Sequence, residues 1–337
     1  MIELNELQDA AQKAFPADQL VPDRDESWKL VAEMGWLMIR VPEEAGGLGL
    51  GREASTAIHY ELGRVLSSTP LITAQVALQA IAASETLADK DGWLERGCMG
   101  EFTTMSFAGG NLTLGDGDAL NGTLRAVPDF DMAGHILVSL PGLVALVPVD
   151  AAGVSGEARE LWDESRKMFD VTFANCKIDP SLVLARGDAA TKLAAMLRGE
   201  MLLGLAADCL GGSRATLDMT VEYLGMRKQF ERPLAMFQAL KHRVADLQTQ
   251  IVATQALMWS RAADDSAGDT DFGALKSLAA DVYEFVTEES IQLHGGIGLT
   301  EEHQCHLFMK RAMLNLQLGG DVDVWFERAG RAALAAA

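Results

Sequence analysis

Apolar residues recur at helical spacing through the first third of the chain. The run from Trp28 to Trp36 places apolar side chains at the period of an amphipathic helix. A glycine-rich segment at residues 46–49 predicts a loop. Two further helical runs cover residues 54–66 and 73–87. This pattern predicts a helical domain over residues 1–98.

Between residues 99 and 183 the pattern changes to short alternating or continuous apolar runs. Residues 133–138, 143–148 and 168–173 are rich in side chains that favour strands. Asn121 and Gly122 stand between apolar residues, and an Asn-Gly pair in that setting predicts the turn of a hairpin. We therefore predict a compact antiparallel β domain over residues 99–183.

Long helical patterns return in the last part of the chain, residues 184–337. They cover residues 187–225, 236–264, 272–293 and 301–316, and a last one begins near Val322. Four long amphipathic helices with short connections predict a four-helix bundle. The predicted fold class is thus multi-domain α+β and mainly α. An N-terminal helical domain, a middle antiparallel β domain and a C-terminal helical bundle follow one another.

Charge and composition narrow the classes of function. The 337 residues include 28 Lys and Arg against 48 Asp and Glu, which gives a formal net charge of −20. Such an acidic surface disfavours general binding of nucleic acid or anionic membranes. No apolar stretch is long enough to cross a bilayer, and the N-terminus lacks a secretory pattern. Four widely spaced cysteines predict reduced thiols in a cytoplasmic protein.

Three motifs, in a fixed order, carry a family resemblance. Residues 35–49 read GWLMIRVPEEAGGLG, residues 227–246 read RKQFERPLAMFQALKHRVAD, and residues 292–300 read QLHGGIGLT. Together they resemble the acyl-CoA dehydrogenase family over nearly the whole chain. The resemblance implies FAD as cofactor, a bundle that carries the cofactor and oligomer interfaces, and α,β-dehydrogenation of an acyl-CoA thioester. In that reaction a carboxylate removes the α-proton while a hydride leaves the β-carbon for the flavin.

The second motif holds three predicted cofactor contacts. Arg227 carries a planar, permanently charged guanidinium that suits a pyrophosphate. In the family the matching arginine helps bind the FAD pyrophosphate, often across a subunit interface. The resemblance places Phe230 against the flavin cofactor and turns Gln238 towards it. Without the family, these residues describe a surface arginine at a helix end, a core aromatic and a solvated glutamine.

The third motif supplies the other predicted contacts. Gly295 and Gly296 let a backbone approach a ligand closely, because glycine has no Cβ and tolerates positive φ. With Gln292 just before them, the resemblance implies contact with the adenosine end of FAD. The alternative for the glycine pair is a plain helix C-cap and turn.

The usual catalytic base of the family is missing. A glutamate normally follows the fourth bundle helix, and Gly319 stands at that position here. Some members place the base on the first bundle helix instead, at the position that matches Met201. Its neighbour Glu200 lies in an apolar run and is our candidate base. Adjacent residues are rotated by about 100° on a helix, so Glu200 serves only if the helix is shifted or bulged. The alternative is a solvated Glu200 near Arg198.

Other acidic and histidine side chains favour structural roles. Asp208 is predicted to be part of the helix rather than a base. Asp321 and Asp323 could touch the cofactor or cap the last helix. His242 and Asp246 stand four residues apart, but two ligands do not make a metal site.

The chain is also short for the family, mainly in its N-terminal and β domains. Between Gly122 and Val138 there is no clear counterpart of the segment that packs on the flavin and substrate. Short members without the base are known as halves of heteromeric acyl-CoA dehydrogenases in bacterial steroid side-chain and related degradation, where two subunits share each FAD site. We therefore predict one subunit of a heterotetramer that acts on an acyl-CoA, with an electron-transferring flavoprotein as partner.

Two alternatives to this assignment stay open. One is a non-catalytic partner that only stabilises and positions the catalytic chain. The other is a related flavoprotein of the same fold, such as a flavin monooxygenase or a nitroalkane oxidase.

Overall fold

The computed structural model describes residues 3–336, which begin with a layer of five α-helices. These are α1 (Leu4–Ala14), α2 (Arg24–Glu33), α3 (Arg52–Arg64), α4 (Leu71–Ala83) and α5 (Lys90–Cys98). The Asp23 carboxylate accepts the backbone N–H groups of Asp25 and Glu26 and so caps the start of α2. Residues 54–63 of α3 are all buried, so this helix forms the centre of the layer.

The first sequence motif forms a tight loop between α2 and α3. Within residues 38–50 the backbone folds back on itself, and a Cβ at Gly47 would lie 2.0 Å from the Val41 carbonyl oxygen. Only glycine fits at that approach. The loop thereby brings Arg40, near its start, and Arg52, just after its end, to the same acceptor on the bundle, the Glu200 carboxylate.

Eight strands build the middle part as two four-stranded sheets. They are β1 (Thr103–Met105), β2 (Thr113–Gly115), β3 (Ala119–Pro128), β4 (His135–Leu140), β5 (Leu143–Pro148), β6 (Val154–Ala158), β7 (Met168–Lys177) and β8 (Val183–Arg186). The strand orders are β1-β4-β5-β8 and β2-β3-β7-β6. All pairs are antiparallel except β1 with β4, which is parallel. The predicted antiparallel β domain is confirmed, and the pair of β1 with β4 is its one parallel exception.

The predicted hairpin turn at Asn121 and Gly122 is wrong. Both residues lie inside β3, where the pairing with β7 shifts register between Leu120 and Gly122. Gly122 has φ +118°, and a Cβ there would lie 2.6 Å from the Asn111 carbonyl oxygen. Here the glycine marks a β-bulge and a close backbone approach. The turn between β2 and β3 lies at residues 116–118 instead.

Five helices form the last part of the chain. They are α6 (Gly187–Met226), α7 (Gln238–Ala262), α8 (Asp269–His294), α9 (Cys305–Gln317) and α10 (Val322–Ala336), and the two-residue strands β9 (Lys228–Gln229) and β10 (Arg232–Pro233) join α6 to α7. The predicted helices agree with these bounds within a few residues, because each carries a sustained helical period. No helix in residues 3–336 is long and apolar enough to cross a membrane.

The N-terminal helices and the bundle share one hydrophobic core. The helices α3 and α6 touch through glycines: a Cβ at Gly63 would lie 2.4 Å from the Asp208 carbonyl oxygen, and one at Gly211 would lie 1.9 Å from that of Tyr60. The mainly helical α+β class is confirmed. The boundaries at residues 98 and 183 stay a prediction, since the two helical parts pack as one body.

Candidate functional site

A cleft of about 320 Å³ opens where the β sheets meet the bundle. Its walls come from the end of β1, from β4, from the N-terminal half of α6 and from the start of α10. Met201 and Gly319, the two positions at which the family pattern places a base, both line this cleft. The structure therefore brings the two alternative base positions to one place.

The cleft offers no group that can take a proton from a substrate. Ser106, Ser139, Arg198 and Arg328 are the polar residues that line it in the described part of the chain, and the other lining residues are apolar or glycine. Arg198 donates to the Asp269 carboxylate (Nε–Oδ2 2.9 Å). A general base must lie within hydrogen-bond reach of the proton that it removes. Within residues 3–336, no carboxylate or histidine stands on the wall of this cleft.

The backbone at Gly319 disfavours the missing glutamate. Its N–H donates to the Phe107 carbonyl (2.8 Å), and its carbonyl accepts the indole N–H of Trp325 (2.8 Å). Gly319 has φ +75°, and a Cβ there would lie 2.8 Å from Leu202 Cδ2 and 3.1 Å from Leu205 Cδ1. A side chain at this position is therefore strained and starts against the wall of α6.

Sequence reasoning missed the segment of residues 105–109, which closes one side of the cleft. Ser106 Oγ accepts the backbone N–H groups of Ala108 (3.1 Å) and Gly109 (2.8 Å) and donates to a backbone carbonyl. This is a serine turn, in which the hydroxyl replaces a backbone partner. A serine followed three residues later by a Gly-Gly pair was the signal that could have revealed it.

Glu200 lies on the other side of α6 from the cleft. The helix has no bulge or shift at this point, so Met201 lines the cleft while Glu200 turns to the N-terminal layer. Its carboxylate accepts from Arg40 Nη1 (2.6 Å) and Arg52 Nε (2.9 Å), and 8% of its side chain is exposed. These contacts join α6 to both ends of the first motif loop.

The electrostatics of Glu200 also argue against a catalytic role. Burial acts to raise the pKa of its carboxyl, but the hydrogen bonds and charges of Arg40 and Arg52 outweigh burial and bring the pKa below its ordinary value. A carboxylate with a lowered pKa and two guanidinium partners is a weak base. The geometry therefore does not support the predicted role of Glu200 as catalytic base, nor its alternative as a solvated residue near Arg198.

Asp208 and Asp321 both make structural contacts, as one of the predictions for each residue had it. The Asp208 carboxylate is buried and accepts from Arg311 Nη1 (3.1 Å) and Asn315 Nδ2 (2.7 Å). Asp321 accepts the backbone N–H of Asp323 (2.9 Å) just before α10 begins. Asp208 thus belongs to a buried ion cluster, and Asp321 caps the last helix.

A second region lies at the far end of the bundle and holds the six predicted cofactor contacts. It consists of the arginine turn (residues 227–237), which follows α6, and the glycine turn (residues 295–299), which follows α8. Gln238, the first residue of α7, and Gln292, near the end of α8, flank the two turns. The two helices run parallel. A Cβ at Gly199, in the first half of α6, would lie 3.1 Å from Phe272, near the start of α8. The rings of Tyr223 and His294, near the ends of the two helices, lie 4.5 Å apart and are tilted by 30°.

Phe230 occupies a strained and exposed position in the arginine turn. It forms, with Glu231, the two-residue connection between β9 and β10, and their φ angles are +51° and +64°. Left-handed backbone costs a residue with a Cβ about 1 kcal/mol. Phe230 is 86% exposed, so it is not a core aromatic. An exposed aromatic side chain on a strained turn is typical of a contact surface for a ligand or a partner.

The other predicted cofactor contacts in this region are also exposed to solvent. Arg227, Gln238 and Gln292 are exposed, as are both glycines of the glycine turn. No atom lies within 4 Å of the position where a Cβ would stand at Gly295 or Gly296. The structure therefore presents all six residues on one end of the bundle, with room for a ligand against bare backbone.

The two regions lie far apart within one chain. Met201 at the cleft and Arg227 at the arginine turn stand on the same unbroken helix or its C-cap. A separation of 26 residues corresponds to roughly 39 Å along a helix axis. One dinucleotide cannot touch both regions of a single chain.

The metal alternative finds no support in the geometry. His242 and Asp246 are exposed on α7. Residues 3–336 contain no group of three or more metal-ligating side chains.

Comparison with known proteins now decides the family. Residues 4–101 match the acyl-CoA dehydrogenase N-terminal domain, and residues 199–334 match the acyl-CoA dehydrogenase C-terminal domain. The acyl-CoA dehydrogenase IpdE2 of Mycolicibacterium smegmatis is 30% identical over 301 residues, which cover 87% of this chain and 83% of that protein. This chain belongs to the acyl-CoA dehydrogenase family. Members of the family are flavoprotein oxidoreductases that act on CH–CH groups, as the motifs predicted.

Solved structures with the same fold include heteromeric enzymes. A variant of the Tcur3481-Tcur3483 steroid ACAD is similar with TM-score 0.86 and 30% identity, and the match covers 99% of each chain. The ChsE4-ChsE5 complex of Mycobacterium tuberculosis gives TM-score 0.87 at 24% identity, over 98% of this chain and 97% of that one. The resemblance to short subunits of heteromeric acyl-CoA dehydrogenases is thus confirmed.

Proposed function

We propose that this chain is the subunit without a base in a heteromeric, FAD-dependent acyl-CoA dehydrogenase. It presents the arginine turn and the glycine turn to FAD that lies in the cleft of a partner subunit. The partner, a second acyl-CoA dehydrogenase-like chain, supplies the carboxylate that removes the α-proton. The observation that supports this proposal is a cleft with no carboxylate or histidine among its described lining residues, in which Gly319 replaces the usual glutamate on a backbone that disfavours a side chain.

The residues of the bundle end fit a dinucleotide. The guanidinium of Arg227 matches a pyrophosphate, which it can hold with parallel hydrogen bonds. The uncovered backbone at Gly295 and Gly296 allows the close approach that an adenosine group needs. Gln238 and Gln292 add side-chain amides, which can donate and accept. When bound, FAD accepts the hydride from the β-carbon of the substrate.

The substrate we propose is the CoA thioester of a steroid-derived acid. The support is the 30% identity to the Tcur3481-Tcur3483 steroid ACAD over the full length of both chains. We further propose a heterotetramer, with an electron-transferring flavoprotein as electron acceptor. The four cysteines are buried free thiols, which suits the cytoplasm.

A purely structural partner is the second candidate, since the cleft has no base. The two proposals differ in one property of the complex. A cofactor-sharing subunit touches FAD through Arg227, whereas a structural partner leaves FAD entirely to the other chain.

The experiment compares the chain purified alone with the chain co-expressed with a second acyl-CoA dehydrogenase-like chain. The measurements are the visible flavin spectrum and the molecular mass. We expect a colourless lone chain and a yellow mixed complex. A lone homo-oligomer that carries flavin and oxidises acyl-CoA would overturn the proposal.

A further inference from the structure

A cluster of three aromatic side chains joins the two turns of the bundle end. His294 is the last residue of α8, directly before the glycine turn, and its ring lies 4.5 Å from that of Tyr223 and 4.2 Å from that of His303. Tyr223 donates through its hydroxyl to the His294 carbonyl (3.2 Å). It also accepts, at its own carbonyl, the N–H of Arg227 (2.8 Å), where the arginine turn begins.

The hydrogen bonds of the cluster fix which ring nitrogens carry protons. His294 Nδ1 lies 2.7 Å from the Ser290 carbonyl, which only accepts, so Nδ1 is protonated. His303 Nδ1 accepts the backbone N–H of Cys305 (3.3 Å), so its proton sits on Nε2. His294 is 3% exposed, and its Nε2 has no hydrogen-bond partner in the described residues. The closed cluster therefore holds neutral rings.

We propose that Tyr223, His294 and His303 are positioning residues that hold the arginine turn and the glycine turn in their cofactor-binding arrangement, and that this clamp requires neutral histidines. The inference rests on the proposed function. A second proton on His294 would be buried without an acceptor. A charge on both rings would place two cations 4.2 Å apart.

The pKa shifts of His294 and His303 show how the cluster responds to acid. Burial first, and then the charge of His303, lower the pKa of His294, while its bond to the Ser290 carbonyl acts to raise it. Burial and the charge of His306 lower the pKa of His303. No carboxylate, arginine or lysine is among the causes of either shift. A lowered pKa means that the closed clamp is stable above the ordinary histidine pKa near 6.5 and weakens as pH falls below it.

The first experiment measures flavin binding by the mixed complex between pH 7.5 and 5.5. We expect the dissociation constant to rise on the order of tenfold over this range. His303→Phe keeps a stacked ring and removes one titration, so the rise should shrink to about threefold. His303→Ala removes the ring and should weaken binding at every pH. The matched control is His242→Ala, an exposed histidine of α7, which should follow the wild type.

A second readout separates failure of the clamp from failure of the proposed function. In the lone chain, hydrogen-exchange protection of residues 295–300 should fall below pH 6.5 in the wild type and fall less in His303→Phe. A pH profile that His303→Phe leaves unchanged in both readouts overturns the clamp. A mixed complex without flavin overturns the proposed function and the cofactor role of the clamp. The exchange data then show whether the acid-sensitive contact exists in the fold.

Discussion

The two ends of helix α6 differ in which residues of a flavoenzyme site they carry. At its N-terminal half the cleft has apolar walls, two serines and two arginines, and Gly319 stands at the usual base position with a left-handed backbone that disfavours a side chain. At its C-terminal end an exposed phenylalanine is held on a left-handed turn beside an exposed arginine. One region has no carboxylate among its described lining residues, whereas the other carries exposed residues on a strained turn. This difference is what we expect of the proposed subunit, which would contribute to a site on another chain.

The largest expected effect comes from returning a glutamate to the cleft. Gly319→Glu should lower the free energy of unfolding by about 4 kcal/mol, because positive φ and the contacts with Leu202 and Leu205 both oppose a side chain. It should not give the lone chain any dehydrogenase activity. Gly330→Glu is the control, since nothing lies within 4 Å of a Cβ on that face of α10. Denaturant unfolding and an acyl-CoA assay measure both outcomes, and activity in a stable Gly319→Glu chain would contradict our view of the cleft.

Glu200→Gln tests whether the remaining buried carboxylate is structural. We expect a loss of about 2 kcal/mol at pH 7, because Arg40 and Arg52 lose the charge between them. Since the folded pKa of Glu200 is lowered, its contribution is present above its ordinary value of 4.5 and disappears as pH falls below it. The stabilities of wild type and variant should therefore converge as the pH falls further below 4.5.

Turnover of the mixed complex provides the decisive control for Glu200. It should survive Glu200→Gln and also Glu95→Gln, an exposed glutamate of α5 that serves as the matched variant. Lost turnover with normal flavin content in Glu200→Gln alone would restore Glu200 as the catalytic base.

Two arginine variants, one in each region, test which region of this chain contacts the flavin. Arg227→Ala should weaken flavin binding by the mixed complex about tenfold, which corresponds to the loss of one exposed charge-assisted contact. Arg328→Ala, at the rim of the cleft, should leave flavin binding unchanged. Equilibrium flavin titration of the two complexes tests this. Equal effects of both variants would favour the purely structural partner.

The smallest effect concerns the strained turn. Glu231→Gly should raise the free energy of unfolding by about 1 kcal/mol, because glycine adopts the observed φ of +64° without strain. Flavin binding should stay unchanged, since the turn keeps its shape. A destabilised variant would show that Glu231 makes a contact that outweighs its backbone strain. Thermal unfolding of the complex and of the lone chain provides the measurement.

Most helices and the family could be predicted from residue identity and spacing alone. Sustained helical periods placed α6 to α10 within a few residues, because amphipathic spacing is a local property that any packed helix must satisfy. The three motifs led to the acyl-CoA dehydrogenase family, which the family models confirm. The missing glutamate at Gly319 was also visible from residue identity alone.

The contacts of individual polar residues became clear only from the folded chain. Asn121 and Gly122 carry the signature of a turn, yet pairing with β7 extends the strand through them as a bulge. Glu200 looked like a base because its sequence neighbours are apolar, whereas its true neighbours, Arg40 and Arg52, lie about 150 residues away. The pKa, the exposure and the φ of a residue depend on such distant contacts. A local pattern therefore cannot specify them. The contrast between a cleft lined without a carboxylate in the described residues and an open contact face emerges only in the folded chain.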